Sequence, residues 1–281
     1  MKNILLPTDF SENSWNAIKY ALEFYKNTPV NFYILNVTLI STYVSGEIPI
    51  LPSSNILETT ILKQAKLELT KLLKKIKEED SKPNHHFFTI SKYDFFIDAI
   101  KEQVEEKKID LIIMGTKGAS GFSEVVIGTN TGDLITKIKC PVLIIPENST
   151  FIAPKEIAFP TDFYNFYQPV ILNTISDFAE MYNSSVRIVH IAKKDEIVTE
   201  HQLENKHYLH NYFTEEKHSF HKITNNSIEE GIRCFVESRD IDIIIMVAKN
   251  LTFFQRILFK PTVEEISFHT KVPFLVLHEE E

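Results

Sequence analysis

Cysteine is almost absent from this chain, in which only Cys140 and Cys234 occur among 281 residues. The two lie in separate apolar stretches. Neither has a second residue at the spacing of a CxxC motif or a zinc site. This excludes a site built on clustered cysteines, and we expect both residues to be reduced thiols in the core.

Long apolar runs and positive charge are missing as well. No run approaches the roughly 18 residues that a membrane span requires. The apolar run before Pro7 is only three residues long, too short for the hydrophobic region of a signal peptide. The formal net charge of −8 provides no basic field for DNA or RNA. We therefore expect a cytoplasmic protein with no membrane or nucleic-acid partner.

Glycine is scarce but clustered, since five of the seven glycines lie in residues 115–132. They follow the apolar run 109–114, which is typical of a buried parallel strand. A glycine-rich turn there lets the backbone take positive φ and brings amide N–H groups close to a ligand. Residues 128–133 then predict a helix start with Thr129 or Asn130 near the N-cap, which suits a phosphate. The alternative is a flexible loop followed by a capped helix.

The spacing Gly115-x2-Gly118-x9-Gly128-Thr129 resembles the nucleotide-binding signature of the universal stress protein family, G-x2-G-x9-G-(S/T). It does not fit a Walker A loop, because Lys117 precedes the second glycine and no Gly-Lys-Ser/Thr sequence follows. The resemblance implies an ATP-binding α/β domain, with or without magnesium. In such a domain the loop amides and the Thr129 hydroxyl hold the phosphates.

The opening stretch supplies the nucleoside side of the predicted site. Residues 2–7 are predicted to form a buried strand. A helix capped by Ser11 or Asn13 should follow it. Thr8 and Asp9 should then face the same crevice as the glycine loop, because ligands bind outside the carboxyl ends of parallel strands. Asp9 is either a ribose or adenine ligand, as the resemblance implies, or a helix-cap carboxylate. The candidate nucleotide-binding residues are Pro7, Thr8, Asp9, Val37, Gly115, Thr116, Gly118, Gly128, Thr129 and Asn130.

Val37 enters that set through the resemblance, as the position whose backbone meets the adenine ring, and Asn36 stands where the family usually has histidine. A loop at 38–55 and an amphipathic helix over 57–76 follow the second strand. The histidines at 85 and 86 should point to opposite faces of a third strand and be structural. We infer no catalytic and no metal-binding residues here.

The opening pattern returns at 157–163, and later strands repeat the first half in order. The sequence therefore predicts two copies of one domain, residues 1–150 and 151–281. The alternation of strands and helices predicts an α/β fold of two repeated, doubly wound parallel-sheet domains. The family resemblance implies that these domains are Rossmann-like and bind adenine nucleotide. The family resemblance covers nearly the whole chain. It also implies that the last strands of the copies, 142–145 and 274–277, pair with each other as an intrachain pseudo-dimer, with further homodimerisation open.

The second copy lacks the phosphate chemistry. Val247 replaces Gly115, Asn250 replaces Gly118, and residues 260–261 read Lys-Pro where the first copy has Gly-Thr. A β-branched residue resists positive φ, and proline removes an amide donor. We expect one nucleotide per chain, in the first domain, with Asp162 kept for local capping. His207 and His210 share a helix face, but a third metal ligand cannot be placed.

Three functions fit these observations. The first is an ATP-binding regulator or sensor of the universal stress protein type, acting with an unidentified protein partner. The second is a weak ATP-hydrolysing or adenylate-forming enzyme in which Asp9 positions a metal or water. The third is an interaction module with a structural nucleotide. Binding is favoured over catalysis, since the glycine motif has no histidine and no Ser-His or Cys-His set is visible.

Overall fold

The computed structural model describes residues 1–38, 54–80, 82–116, 129–248 and 272–279, with the backbone alone at 54–58 and 129. Contacts divide the chain into two units. Of the described residues, the first unit takes 1–116 and 129–142, and the second takes 143–248 and 272–279. Strands and helices alternate in both, and the recorded strand pairs within each unit are parallel. The predicted α/β fold class is confirmed.

The first unit has the strand order β3-β2-β1-β4. Its elements in chain order are β1 (Lys2–Pro7), α1 (Glu12–Phe24), β2 (Val30–Thr38), α2 (Ser54–Glu79), β3 (His85–Tyr93), α3 (Phe96–Lys107), β4 (Leu111–Gly115) and α4 (Thr129–Lys137). The chain leaves β1 for β2 and β3 and returns on the other side at β4. This places the topological switch point between β1 and β4, where open α/β sheets bind ligands.

The second unit repeats this order, with β6 between β7 and β9. Its elements are β5 (Val142–Ile145), β6 (Glu156–Pro160), α5 (Pro169–Tyr182), β7 (Ser185–Ala192), α6 (Glu200–Tyr212), β8 (His218–Thr224), α7 (Ile228–Ser238), β9 (Ile243–Val247) and β10 (Phe274–Leu277). The unit division falls at the start of β5, so residues 143–145 count with the second unit. Within that unit β5 is the neighbour of β10.

The central strands of the first unit are buried on both faces. Ile4, Leu5 and Leu6 of β1 have no exposed surface, and every residue of β4 is buried. This explains why their sequences are continuous apolar runs rather than alternating ones. The helix α1 begins after Ser11, whose side chain accepts a hydrogen bond from the backbone N–H of Ser14, as the sequence predicted.

The two thiols differ in their surroundings. Cys140 is buried, and burial raises the pKa of its thiol to about 12. Cys234 is exposed, so the prediction of a core thiol is wrong for that residue. On α7 the buried positions are 231, 232, 235 and 236, and position 234 therefore falls on the opposite side of the helix.

Of the two adjacent histidines, His85 is buried and His86 is exposed, in agreement with the strand alternation. His85 Nδ1 contacts Asp80 Oδ2, and His85 Nε2 lies 3.0 Å from the carbonyl oxygen of Tyr25, the C-cap of α1. Lys82 Nζ lies 2.9 Å from the other Asp80 oxygen. The pair therefore ties the ends of α1 and α2 to the start of β3.

None of the helices among the described residues combines the length and apolar character needed to cross a bilayer.

The Asp80–His85 pair generates a stability prediction. The side chains of Asp80 and His85 are 1% and 0% exposed. Asp80→Asn leaves the buried imidazole facing a neutral amide, and we expect the free energy of unfolding to fall by about 3 kcal/mol. Urea unfolding measures the loss. Glu78→Gln, which breaks an exposed pair with Lys74 at 3.9 Å, is the matched control and should change stability by less than about 0.5 kcal/mol.

The Asp80 carboxylate also determines how the stability contributed by the Asp80–His85 pair depends on pH. Burial raises the pKa of Asp80, but hydrogen bonds from His85 and Lys82 outweigh it and hold the pKa below its usual value. The stabilisation is therefore complete above the unfolded-state pKa of about 4 and is lost as the pH falls through the lower folded-state pKa. A wild-type acid transition identical to that of Asp80→Asn would contradict this assignment.

Candidate functional site

A turn at the carboxyl end of β1 forms one wall of the candidate site. The Thr8 N–H donates to the carbonyl oxygen of Leu35 over 2.8 Å. The Thr8 Oγ1 atom accepts the Phe10 N–H at 3.0 Å and lies 2.9 Å from Ser14 Oγ. Phe10 has a φ of 64°, a left-handed conformation that few non-glycine residues adopt. The hydroxyl of Thr8 thus holds a sharp turn between β1 and α1.

Asp9 lies in that turn with its side chain exposed. Its Oδ1 atom accepts the Ser11 N–H at 3.1 Å and the Ser11 hydroxyl at 2.6 Å. The structural role foreseen for this carboxylate, support of the helix start, is therefore present. Because the side chain is also exposed at the end of a central strand, the same residue is accessible to a ligand in the crevice.

The end of β2 is tied to the end of β1 by a buried amide. Asn36 is 6% exposed, and its Nδ2 donates to the carbonyl oxygen of Thr8 over 2.9 Å. Thr38 Oγ1 in turn lies 3.4 Å from Asn36 Oδ1. Val37 is half-buried between them and lies two residues beyond the last β1–β2 register pair, Pro7 with Leu35. Pro7, Thr8, Asp9 and Val37 thus lie at the carboxyl ends of adjacent strands.

Gly115 ends β4, the other neighbour of β1. A Cβ atom at this position would lie 2.8 Å from Oδ1 and 2.9 Å from Cγ of Asn13, a buried residue in the first turn of α1. Of the described glycines, none has positive φ. The expectation of a positive φ is therefore wrong for Gly115, and glycine is needed there because a β-carbon would overlap the Asn13 side chain.

The helix α4 is fastened to the end of β4. Thr131 is 2% exposed, and its Oγ1 donates to the carbonyl oxygen of Gly115 over 3.2 Å and approaches that of Thr116 at 3.5 Å. The N-terminal turn of α4, which begins at Thr129 and exposes Asn130, therefore lies against the strand end. This is the helix terminus that the glycine spacing predicted. Gly118 and Gly128 lie outside the described residues.

Two residues that organise this site, Ser14 and Thr131, were not singled out in the sequence, and Asn13 was considered there only as a helix cap. Ser14 and Thr131 use their hydroxyls within the protein, and Asn13 is defined by its packing on Gly115. The available signal was positional, since Thr131 follows Thr129 by two residues at a helix start, where threonine side chains commonly bond to nearby backbone.

The second unit repeats this strand-end arrangement with different side chains. Phe163 has a φ of 61°, and its N–H donates to Thr161 Oγ1 over 3.0 Å. Tyr167 replaces Ser14, and its hydroxyl donates to Thr161 Oγ1 over 2.8 Å. Asp162 Oδ1 accepts the Tyr164 N–H at 3.0 Å within this turn, whereas the N-cap of the following helix α5 is Gln168. Tyr167 is buried, so protein fills this position, and burial raises the pKa of its phenol.

The histidines do not assemble into a metal site among the described residues, where no group of three or more His, Cys, Asp or Glu side chains could hold an ion. His210 pairs with His218 of β8 rather than with His207, and the two ring nitrogens lie 2.9 Å apart.

The close approach at Gly115 predicts a coupled mutational effect. Gly115→Ala puts a methyl group into the space of the Asn13 carboxamide, and we expect the free energy of unfolding to fall by about 1 to 3 kcal/mol. The double change Gly115→Ala with Asn13→Ala should recover part of that loss, because the contact is removed from both sides. Urea unfolding of the four proteins measures the coupling. Strictly additive effects would show that the two residues do not touch.

The sequence of this chain is similar to those of known proteins. A sequence model of the universal stress protein family matches residues 1–146. Universal stress protein MJ0531 of Methanocaldococcus jannaschii is 32% identical over 146 residues, which are 51% of this chain and 81% of that protein. Universal stress protein YxiE of Bacillus subtilis is 28% identical over 145 residues, 50% of this chain and 97% of that protein.

A solved universal stress protein from Archaeoglobus fulgidus aligns with a TM-score of 0.70 and 18% identity, over 98% of this chain and 96% of that chain. At that identity the likeness shows a shared fold. The family match takes in more than half of the chain, and its residues include β1, β4 and α4, which carry the candidate site. This protein belongs to the universal stress protein family.

Proposed function

We propose that the first domain binds ATP and that the protein acts as a nucleotide-dependent regulator or sensor, with one nucleotide per chain. The observation that carries this proposal is the fastening of α4 to β4 by Thr131, because it holds a helix N-terminus at the topological switch point beside the end of β1. A helix N-terminus presents free amide N–H groups and a positive dipole end, which favour a phosphate group.

The described residues fit the two ends of such a ligand. Asp9 is exposed and ionisable, and its carboxylate accepts hydrogen bonds from ribose hydroxyls or an adenine amino group. The half-buried strand end at Val37 offers backbone groups to the adenine ring. On the phosphate side, the first turn of α4 with Thr129 and Asn130 supports the proposal, because Thr131 ties this turn to the end of β4. When ATP is bound, its phosphate groups supply the negative charge that the backbone N–H groups at the start of α4 bind.

The site chemistry favours binding over turnover. The polar side chains at the described turn after β1 and at the end of β2 are occupied in holding backbone, as Thr8, Ser11 and Asn36 show. Hydroxyl and amide side chains that are bonded in this way do not transfer protons at neutral pH. In the second domain Val247 stands at the end of β9, where the first domain has Gly115 at the end of β4. We therefore assign that domain a structural or partner-binding role.

The two aspartates allow a matched test of the nucleoside contact. Asp9→Asn keeps an acceptor for the Ser11 N–H but removes the charge, and we expect affinity for both ATP and adenosine to fall about tenfold. Asp162→Asn makes the same change in the second domain and should leave affinity and a stoichiometry near one unchanged. Titration calorimetry measures both. Equal losses in the two variants would show that the nucleotide is not confined to the first domain.

The Thr131 hydroxyl allows a test of the phosphate side. Thr131→Val frees the start of α4 from β4, and we expect ATP affinity to fall about fivefold while adenosine affinity stays near wild type, because adenosine carries no phosphate. Thr136→Val removes a hydroxyl that bonds Asp133 O at 3.1 Å on the exposed side of the same helix, and serves as control. An unchanged ATP affinity in Thr131→Val, with an intact fold, would rule out α4 as the phosphate site.

A further inference from the structure

The connection from β7 into α6 closes over the strand end of β6 in the second domain. We call residues 193–205 the latch. Gln202 Nε2 donates to the carbonyl oxygen of Asp162 over 2.8 Å, and Asn205 Nδ2 donates to that of Phe163 over 2.8 Å. Gln202 is 0% exposed and Asn205 is 6% exposed. The chain's own amides therefore occupy the turn after β6.

Gln202 is held in this orientation by the start of its own helix. Its Oε1 accepts the Thr199 N–H at 2.9 Å, and its backbone N–H donates to Thr199 Oγ1 over 3.3 Å. This capping box leaves the Gln202 amide N–H groups directed at the β6 turn. The helix cap and the closure over Asp162 therefore depend on one side chain, and they form or break together.

A second tie anchors the latch to β7. Glu196 Oε1 lies 2.8 Å from Nε2 of His190, and Glu196 Oε2 accepts the Lys193 N–H at 2.9 Å. The Nδ1 of His190 lies 3.0 Å from the carbonyl oxygen of Thr161. His190 is 5% exposed, whereas the Glu196 side chain is 23% exposed, so solvent reaches this tie from the Glu196 side.

Both ring nitrogens of His190 thus face acceptors. A carbonyl oxygen has only lone pairs to offer, and so has an ionised carboxylate. A backbone hydrogen bond from Lys193 lowers the pKa of Glu196, which therefore stays ionised in the range where histidine changes charge. Only the doubly protonated ring can donate to both Thr161 and Glu196. The neutral ring satisfies one of them.

Charged groups near the ring come from the latch, from β8 and from the turn after β6. Glu196 comes from the latch, Lys222 on β8 is the register partner of His190, and Asp162 follows β6. Gln202 and Asn205 on α6 are neutral. The first domain provides an internal contrast, since Asn36 makes the equivalent bond to the Thr8 carbonyl with an amide that does not titrate.

We propose that the latch is held shut over the second crevice while His190 is protonated, and that it loosens as this histidine loses its second proton. Every contact involved lies within the second domain, so the proposal does not depend on nucleotide binding in the first. The sign follows from the donors: acid strengthens the tie to Glu196, and alkali removes it.

Hydrogen exchange of the full chain, followed by mass spectrometry, tests this between about pH 5.5 and 8. After correction for intrinsic exchange, residues 193–205 should open about tenfold more often at the upper pH, as expected for the loss of a charge-assisted hydrogen bond. The helix 169–182 is the reference and should not respond. His190→Asn copies Asn36 and should give protection that does not vary with pH.

Glu196→Gln gives the sharper outcome. Its amide oxygen can still accept the Lys193 N–H, and its amide nitrogen can donate to the unprotonated Nε2 of His190. The latch should then keep its protection at the upper pH. Equal protection of wild-type residues 193–205 at all pH values would overturn the proposal. So would a pH response that persists in His190→Asn, or a Glu196→Gln latch that loosens with pH as the wild type does.

Discussion

The residues that directly follow β1 and β6 each have a backbone carbonyl oxygen that faces a side chain from the neighbouring strand. In the first domain the carbonyl of Thr8 accepts from Asn36, and in the second that of Thr161 faces His190. Both side chains are at least nine-tenths buried. Because an unsatisfied buried acceptor costs about 1 to 3 kcal/mol, this cross-strand bond fixes where β1 and β6 stop. The turns that follow are built on that fixed point.

The parts of the fold that follow from local pattern were predictable. Continuous apolar runs identified β1 and β4 as buried parallel strands, and a serine before an amphipathic run identified the start of α1. The spacing of the glycines placed a helix start after β4, and α4 is found there. In each case one segment of sequence carries the whole signal, either as a hydrophobic period or as a capping residue.

The parts that depend on contacts between distant segments were not predictable. Asn13 and Gly115 are about a hundred residues apart, and the sequence around neither residue indicates that the two pack together. The left-handed backbone conformation of Phe10 and Phe163 was also not predictable, because that conformation is ordinarily expected for glycine or asparagine. Here the threonine hydroxyl two residues before each phenylalanine holds the turn instead. Tertiary hydrogen bonds can thus replace a local conformational preference.

The unequal surroundings of the two thiols have a practical consequence. Cys140 is enclosed, and its raised pKa keeps it in the unreactive protonated form, whereas Cys234 projects from α7. Alkylating reagents attack the thiolate and need access to the sulfur. A maleimide dye added to the folded protein would therefore attach at one position, in the second domain, without any engineered cysteine. The native chain already carries a single-site attachment point for a spectroscopic reporter.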